Sequence, residues 1–237
     1  MSRPARPVSP GFLRSSWIVA SKDLRLEGRT LDAISAMAVF SLIVLTVFNF
    51  AFDLTTVRSV GVSKLVPGVL WTTFAFAAII AFARSFQTEK FRDSLSALVL
   101  SPVDRGALFA GKALANFVLV LVLQAALLPL SAIFFDYDLL AVAAPLLFVV
   151  VLHTLGIAEL GTFFAAVAVR VGRGEALLAT LLFPVSSPLV ISAVKCTSAV
   201  LEGKPLASVQ QWLLVAAGFD VLYFLVALVT FEYVVED

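Results

Sequence analysis

The sequence contains little charge and almost no cysteine or histidine. Of its 237 residues, one is cysteine, one is histidine and 14% are charged, whereas about a quarter of the residues in an average soluble domain are charged. The single cysteine, Cys196, excludes a framework of internal disulfides and every zinc or iron–sulfur site that needs several cysteines. The formal net charge of +1 does not provide the excess of basic residues that nucleic-acid binding requires. We therefore expect no metal site of this kind and no nucleic-acid partner.

Apolar residues are abundant instead. They make up 61% of the chain, against about 45–50% in soluble domains, and the mean hydropathy is +1.03. A soluble domain of this length could not bury so much apolar surface, because a domain of this size leaves a large share of its surface in water. The composition therefore predicts a small membrane protein and excludes a soluble enzyme.

Six segments are long and apolar enough to cross a bilayer as helices, which takes about 20 residues each. We predict these spans at about 33–52, 66–83, 113–135, 146–169, 176–194 and 212–235. The predicted fold class is all-α, a polytopic membrane protein with six transmembrane helices. Pro184 and Pro188 should break the helix of the fifth span, because proline has no backbone N–H to donate. The sequence leaves open whether residues 184–205 form a re-entrant helix pair.

Lysine and arginine are distributed unequally between the two sides of the predicted bundle. Residues 1–32, 84–112 and 170–175 together hold 13 of them, and the segments on the other side hold four. Basic residues are concentrated on the cytoplasmic side of membrane proteins. We therefore expect both termini to lie in the cytoplasm.

The chain divides into three parts. Residues 1–10 have the composition of a disordered tail, residues 11–32 fit an amphipathic helix, and residues 33–237 form the six-span domain. Within 11–32, apolar side chains fall near one helical face, and Trp17 suits the headgroup level of a bilayer. We predict an interfacial helix that lies along the membrane. A solvated arm with scattered apolar residues is the alternative.

The segment GALFAGKA at residues 106–113 contains the G-x-x-x-x-G-K part of a phosphate-binding loop. Ala113 stands where such a loop needs a Mg²⁺-binding Ser or Thr, no buried strand precedes the segment, and it runs directly into a span. We therefore predict that the chain neither binds nor hydrolyses ATP, and that Lys112 is an anchor at the membrane interface. Since the sequence has no nucleophile elbow, metalloprotease helix or pair of catalytic carboxylates, we expect a non-catalytic protein.

Three ionisable side chains lie well inside the predicted spans, away from their ends, where charge is costly and marks a functional candidate. Glu159 is near mid-membrane, with Thr162 one turn away as a candidate hydrogen-bond partner. Asp220 falls inside the sixth span. His153 precedes Glu159 by six residues, which places the two on different helical faces and excludes an i, i+4 metal pair. For each of the three, a packing role is the alternative to a functional one.

The predicted inner loop between the second and third spans carries an apolar stripe with helical spacing. Three apolar residues recur at i, i+4 and i+7 between charged neighbours, and Asp104 follows as a cap for the next helix. We predict that this stripe docks on a cytoplasmic partner. A helix that lies on the membrane, or a repacked helix end, is the alternative. The apolar stripe and its flanking charges are Phe91, Leu95, Leu98, Glu89, Arg92 and Asp93.

Five segments in this order resemble one family. They are PGVLW at residues 67–71, ARSF at 83–86, LSPVDRGALFAGKALAN at 100–116, LGTFFAA at 160–166 and LLFPVSSPLVISA at 181–193. Each is too apolar to be specific alone. The five together, with the right gaps, resemble haem exporter protein B (CcmB), the membrane subunit of the bacterial cytochrome c maturation ABC complex. The resemblance covers about residues 20–235.

This resemblance implies an ABC-2-like permease of the bacterial inner membrane, paired with a second copy of itself and with a separate ABC ATPase subunit. The apolar stripe would then dock on the ATPase, and ATP would act only through that partner. A haem-handling membrane subunit and a periplasmic haem chaperone are the other implied partners, with haem as a transported or handled ligand. In that family haem handling is attributed largely to a tryptophan- and histidine-rich partner, and this chain has only three tryptophans.

Other functions remain open on the residues alone. A proton-coupled secondary carrier would use His153, Glu159 and Asp220 as its relay, and an ABC permease could carry another amphiphilic substrate. The sequence also leaves open whether haem passes through this subunit. The subunit could instead transmit only the ATP-driven motion that releases the haem-loaded chaperone.

Overall fold

The computed structural model describes residues 11–52, 54–91, 104–171 and 174–236. Every regular element in these four ranges is a helix, which confirms the predicted all-α class. In chain order the elements are α1 (Phe12–Thr30), α2 (Asp32–Ala51), α3 (Leu54–Val60), α4 (Val62–Phe91), α5 (Arg105–Phe135), α6 (Leu139–Val171), α7 (Gly174–Leu201), a 3-10 helix (Leu206–Val209) and α8 (Gln210–Glu236).

Six helices in the described ranges are long and apolar enough to cross a membrane, as predicted. They are α2, α4, α5, α6, α7 and α8, the last together with the 3-10 helix before it. α5 and α6 have 31 and 33 residues, more than the about 20 that a bilayer core requires. Each of these two helices must therefore tilt or extend beyond the hydrocarbon.

The long helices surround α6, which packs against α4, α5, α7 and α8. α4 and α6 run in the same direction, because Trp71 lies beside His153 and Phe82 lies beside Gly161. α4 is the most enclosed of the six membrane helices. In its apolar stretch of 18 residues, 72% are buried inside the molecule, against 17% in the corresponding stretch of α8. The side of α8 that the bundle leaves uncovered is rich in apolar residues, which suits a helix at the membrane-exposed edge.

α1 lies against the start of α5 through small side chains. A Cβ on Gly111 of α5 would come within 2.6 Å of the Ser16 carbonyl oxygen and 2.7 Å of the Val19 Cβ. The two helices can therefore approach this closely only because residue 111 is glycine. Another side of α1 exposes Leu13 and Trp17, the pattern that an interfacial helix requires.

A sharp turn at Leu31 separates α1 from α2. Leu31 has φ +55°, in the left-handed region. The Glu27 carboxylate accepts the backbone N–H groups of Ala33, at 2.7 Å, and Ile34, at 2.9 Å. These N–H groups lie in the first turn of α2 and have no acceptor within the helix. Glu27 of α1 therefore caps α2 and fixes the angle between the two helices.

Aspartates cap α5 and α6, the third and fourth of the six membrane helices. The Asp104 carboxylate accepts the N–H of Ala107 at 3.1 Å, which confirms the predicted cap of α5. The Asp138 carboxylate accepts the N–H groups of Leu140 and Ala141 at 3.0 and 3.2 Å at the start of α6. Both carboxylates satisfy first-turn N–H groups and complement the helix dipole.

The prediction that Pro184 and Pro188 break the fifth span is wrong. α7 is continuous from Gly174 to Leu201, with both prolines inside it. Pro188 has no N–H for the carbonyl of Pro184, and the Ser187 hydroxyl donates to that carbonyl at 2.8 Å instead. Such hydroxyl groups are one reason that membrane helices tolerate proline. Residues 184–201 therefore continue one helix and do not form a re-entrant pair.

Polar contacts join the helix ends on the face of the bundle opposite α1. Asn49 of α2 donates from Nδ2 to the Phe134 carbonyl oxygen of α5 at 2.7 Å. Glu202, after α7, accepts a hydrogen bond from the Ser63 hydroxyl of α4 at 3.4 Å and forms an ion pair with Lys204 at 2.6 Å. The hydrogen bond from Lys204 lowers the pKa of Glu202, so the Glu202 carboxyl group is ionised at neutral pH.

Candidate functional site

Lys112 is fully buried where α1, α4 and α5 meet. Its ammonium nitrogen lies 3.2 Å from a carboxylate oxygen of Asp23 on α1 and donates to the Ser85 carbonyl oxygen on α4 at 3.4 Å. The same nitrogen lies 4.6 Å from the Phe86 ring centroid, within cation–π range. Lys112 is thus a buried tie between three helices and not the interfacial anchor that the sequence predicted. We call these four residues the Lys112 junction.

The two glycines of the phosphate-loop-like segment serve helix packing. Residues 105–112 belong to α5, so this segment is not a loop that could wrap a phosphate group. A Cβ on Gly106 would come within 3.0 Å of Leu228 Cδ2 on α8, and Gly111 admits α1. Gly111 is therefore required by the close contact of α5 with α1, and Gly106 lies at a tight contact of α5 with α8.

The predicted docking stripe falls mostly outside the described residues. Arg92, Asp93, Leu95 and Leu98 lie outside the described residues. Glu89 and Phe91 belong to α4, but their side chains are not described. The stripe therefore stays a prediction. The residues that carry it connect α4 to α5, and the Lys112 junction holds the adjoining ends of these two helices together.

Two side-chain hydrogen bonds join α5 to α6 inside the bundle. Asn116 donates from Nδ2 to Thr162 Oγ1 at 2.9 Å, and the Thr154 hydroxyl donates to Gln124 Oε1 at 2.9 Å. Thr162 is therefore bonded to Asn116 and not to Glu159, the partner that the sequence suggested for it. Hydrogen bonds of this kind between membrane helices fix the register of the pair.

His153 is fully buried, and both of its ring nitrogens have partners. Nδ1 lies 2.8 Å from the Val149 carbonyl oxygen, and because a carbonyl only accepts, Nδ1 carries a proton. Nε2 lies 2.9 Å from the Ser192 hydroxyl of α7, whose oxygen also lies 2.7 Å from the Trp212 carbonyl oxygen. The single hydroxyl proton serves one of these two acceptors at a time. This geometry supports a packing role that ties α6 to α7 and α8. It leaves neither nitrogen for a metal or for haem iron.

Glu159 and Asp220 meet where α6 packs against α8. Asp220 lies so close to Gly156, one turn before Glu159, that a Cβ on Gly156 would overlap an Asp220 carboxyl oxygen. The two carboxyl groups are near enough to interact electrostatically. Both Asp220 oxygens and Glu159 Oε2 lack a hydrogen-bond partner among the described residues. The structure therefore brings together two of the three predicted relay residues, and no hydrogen bond joins His153 to either of them.

A small cavity of about 40 Å³ lies beside Glu159, between α6 and α8. Tyr223 of α8 also lines it, and the remaining wall is apolar. A cavity of this size has room for a water molecule. In the ranges that the structure describes, no group of three or more His, Cys, Asp and Glu side chains is arranged to hold a metal ion.

Comparison with known proteins identifies the family. A profile of the CcmB protein family matches residues 14–236, nearly the whole chain. The chain belongs to the CcmB family. Heme exporter protein B of Rhodobacter capsulatus is 31% identical over 190 residues, which are 77% of this chain and 82% of that protein. Heme exporter protein B of Paracoccus denitrificans is 32% identical over 174 residues, 72% of this chain and 76% of that protein. The resemblance drawn from the five sequence segments is confirmed.

Several polar contacts of this CcmB protein were not predicted from its sequence. The Lys112 junction is one, and the hydrogen bond from Trp71 Nε1 to Thr197 Oγ1, 2.8 Å long, is another. Glu159 was a candidate because burial of a polar group in a membrane is costly. The same reasoning applies to the amide of Asn116. The predicted spans contain Trp71 and Asn116, so polarity alone could have singled out these two residues, although not their partners. Lys112 and Thr197 fall just outside the predicted spans.

Proposed function

We propose that this CcmB protein is the permease subunit of an ABC-type transporter for haem export, or for release of the haem-loaded chaperone, in c-type cytochrome biogenesis. The observation that carries the proposal is the family match over residues 14–236. Relatives at 31% and 32% identity are named heme exporter protein B. The six apolar helices provide the membrane domain that a permease needs.

The energy for this function would come from a separate ABC ATPase subunit. Because the phosphate-loop-like segment of this chain lies within helix α5, it lacks the setting of a nucleotide site. An ATPase docked on the predicted stripe would act on the connection between α4 and α5. The Lys112 junction would carry that movement to α1, since the Lys112 ammonium group contacts α1 and α4 at once.

Haem would be cargo whose iron ligands come from a partner. Both His153 nitrogens are occupied and Cys196 is buried, so neither side chain is placed to bind iron. The other partners that we propose are a haem-handling membrane subunit, a periplasmic haem chaperone and a second copy of this chain. The location is the bacterial inner membrane with both termini cytoplasmic, which the distribution of lysine and arginine supports.

Co-purification with the ATPase subunit tests the proposal. Leu95→Asp would replace the proposed apolar contact, worth about 1.5–3 kcal/mol, with a charge that has no partner in an apolar groove. We expect this variant to insert normally and to lose the ATPase, whereas Leu95→Met keeps the apolar contact and serves as the control.

The two parts of the proposal fail in different ways. A Leu95→Asp variant that recovers the ATPase and supports normal cytochrome c maturation would contradict the docking site alone. Failure of the unsubstituted protein to recover any ATPase from its native membrane would contradict the ABC assignment itself.

The Glu159–Asp220 pair favours a second candidate, a proton-coupled carrier. Buried carboxyl groups are common in proton pathways through membranes. A carrier of this kind works without an ATPase and stops when the proton gradient is removed, so the energy source separates the two candidates.

A further inference from the structure

The Glu159 and Asp220 carboxyl groups stand out among the polar groups inside the bundle because they lack partners. Their side chains belong to residues that are only 5% and 6% exposed, and three of their four oxygens accept no hydrogen bond from the described residues. The ion pairs recorded in these ranges involve neither residue. An ionised carboxylate in this place would be a buried charge without compensation, an arrangement that proteins avoid.

The cavity beside Glu159 shows which groups are at hand to neutralise that carboxyl group. No amine or guanidinium group of the described residues lines this cavity of about 40 Å³. Mg²⁺ and Ca²⁺ require about six or more oxygen ligands, and apart from Glu159 and Tyr223 the cavity is lined by apolar residues. A proton needs no additional space and no additional ligand.

We propose that Glu159 and Asp220 form a proton-binding site at the contact between α6 and α8. With protons bound, both side chains are neutral acids, and Asp220 can lie directly on Gly156 within an apolar contact. Release of a proton would leave a charge between the helices, so water would enter and α8 would move away from α6. The packing of α8 would then depend on proton binding, whichever substrate the transporter carries.

The neighbouring side chains named below carry no charge that would stabilise an ionised Glu159 or Asp220. At Gly156, Gly161 and Thr162 of α6, the neighbouring side chains from α7, α4 and α5 are neutral: Leu189, Phe82 and Asn116. On α8, Tyr223 lines the same cavity. On α6, His153 is engaged with Val149 and Ser192. Each of these neighbours lacks a charge that could balance a carboxylate.

Infrared spectroscopy of the full chain in lipid nanodiscs tests the proposal, because a carboxylic acid and a carboxylate absorb at different frequencies. At neutral pH we expect an acid band that disappears in the double variant Glu159→Gln/Asp220→Asn and weakens as the pH is raised. Labelling of the unsubstituted protein with ¹³C-aspartate shifts the part of the acid band that comes from aspartic acid, and ¹³C-glutamate shifts the part from glutamic acid. The two labels therefore assign the band to a residue type without any substitution.

Two glycine variants provide a matched control for the geometry. A methyl group at position 156 would overlap the Asp220 carboxyl, so Gly156→Ala should shift the acid band. Gly218 lies on α8 two residues before Asp220, and a Cβ there would meet nothing within 4 Å, so Gly218→Ala should leave the band unchanged. An acid band of equal strength in the unsubstituted chain and the double variant, or isotope labels that shift no acid band, would overturn the proposal.

Discussion

At the scale of the residue, the buried ionisable groups divide by whether they have partners. Lys112 is surrounded by the Asp23 carboxylate, the Ser85 carbonyl and the Phe86 ring. Removal of one partner from a buried pair of this kind is destabilising, because it leaves the other charge without compensation. Glu159 and Asp220 lack such partners, which is why we assign the first group to structure and the second to proton binding.

Replacement of Lys112 should loosen the docking of α1. Lys112→Met keeps the length of the side chain but removes its bonds to Asp23 and Ser85, at an expected loss of about 1–3 kcal/mol. The control is Lys22→Met, because Lys22 pairs with the same Asp23 at 3.1 Å but is 47% exposed, where an ion pair contributes about 0–1 kcal/mol.

Hydrogen–deuterium exchange of residues 12–30 in lipid measures this effect. We expect exchange in α1 to accelerate in Lys112→Met and to stay near that of the unsubstituted protein in Lys22→Met. Equal exchange in the two variants would show that the buried tie does not hold α1.

Sequence patterns predicted single residues well only where the interaction is local. Asp104 caps α5 as expected, because a cap bonds to N–H groups two or three residues away. The suggested bond between Thr162 and Glu159 is absent, since Thr162 faces Asn116 on a neighbouring helix. Which helix a side chain faces depends on the rotation and register of packed helices, and one sequence does not specify these.

At the scale of the element, one glycine sets how closely two helices approach, whereas two prolines leave their helix continuous. Gly111 is indispensable to the contact between α1 and α5, because α1 backbone atoms occupy the space of its missing side chain. Pro184 and Pro188 do not stop α7. The general rule that proline breaks helices failed here because the Ser187 hydroxyl occupies the carbonyl that Pro188 leaves without a donor.

A methyl group at position 111 should separate α1 from α5. Gly111→Ala would place its Cβ 2.6 Å from the Ser16 carbonyl oxygen, and overpacking of this kind destabilises by about 1–3 kcal/mol. Gly28→Ala, within α1 itself, meets nothing within 4 Å and should be neutral or stabilising by about 0.5–1 kcal/mol.

Thermal unfolding in lipid, followed by circular dichroism, distinguishes the two glycine variants. We expect a lower midpoint for Gly111→Ala and an equal or higher midpoint for Gly28→Ala. A Gly111→Ala protein as stable as the unsubstituted one would mean that α1 does not pack on α5 as closely as described.

At the scale of the whole molecule, composition and segment order were sufficient for the fold and the family. Six long apolar segments predicted the six membrane helices, because the requirement to span a bilayer acts on each segment separately. The order of five short segments led to the CcmB family, which matches residues 14–236. The docking stripe remains a prediction from sequence, since residues 92–103 lie outside the described ranges.

We propose that ATP hydrolysis by a partner subunit drives this protein. The most direct test of this proposal is the release of the haem-loaded chaperone, measured in proteoliposomes that contain this chain, the ATPase and the haem-handling subunit. We predict release that requires ATP, that is lost with Leu95→Asp and retained with Leu95→Met, and that continues in the presence of an uncoupler. Release that proceeds without ATP or the ATPase and stops when the uncoupler is added would contradict an ATP-driven mechanism.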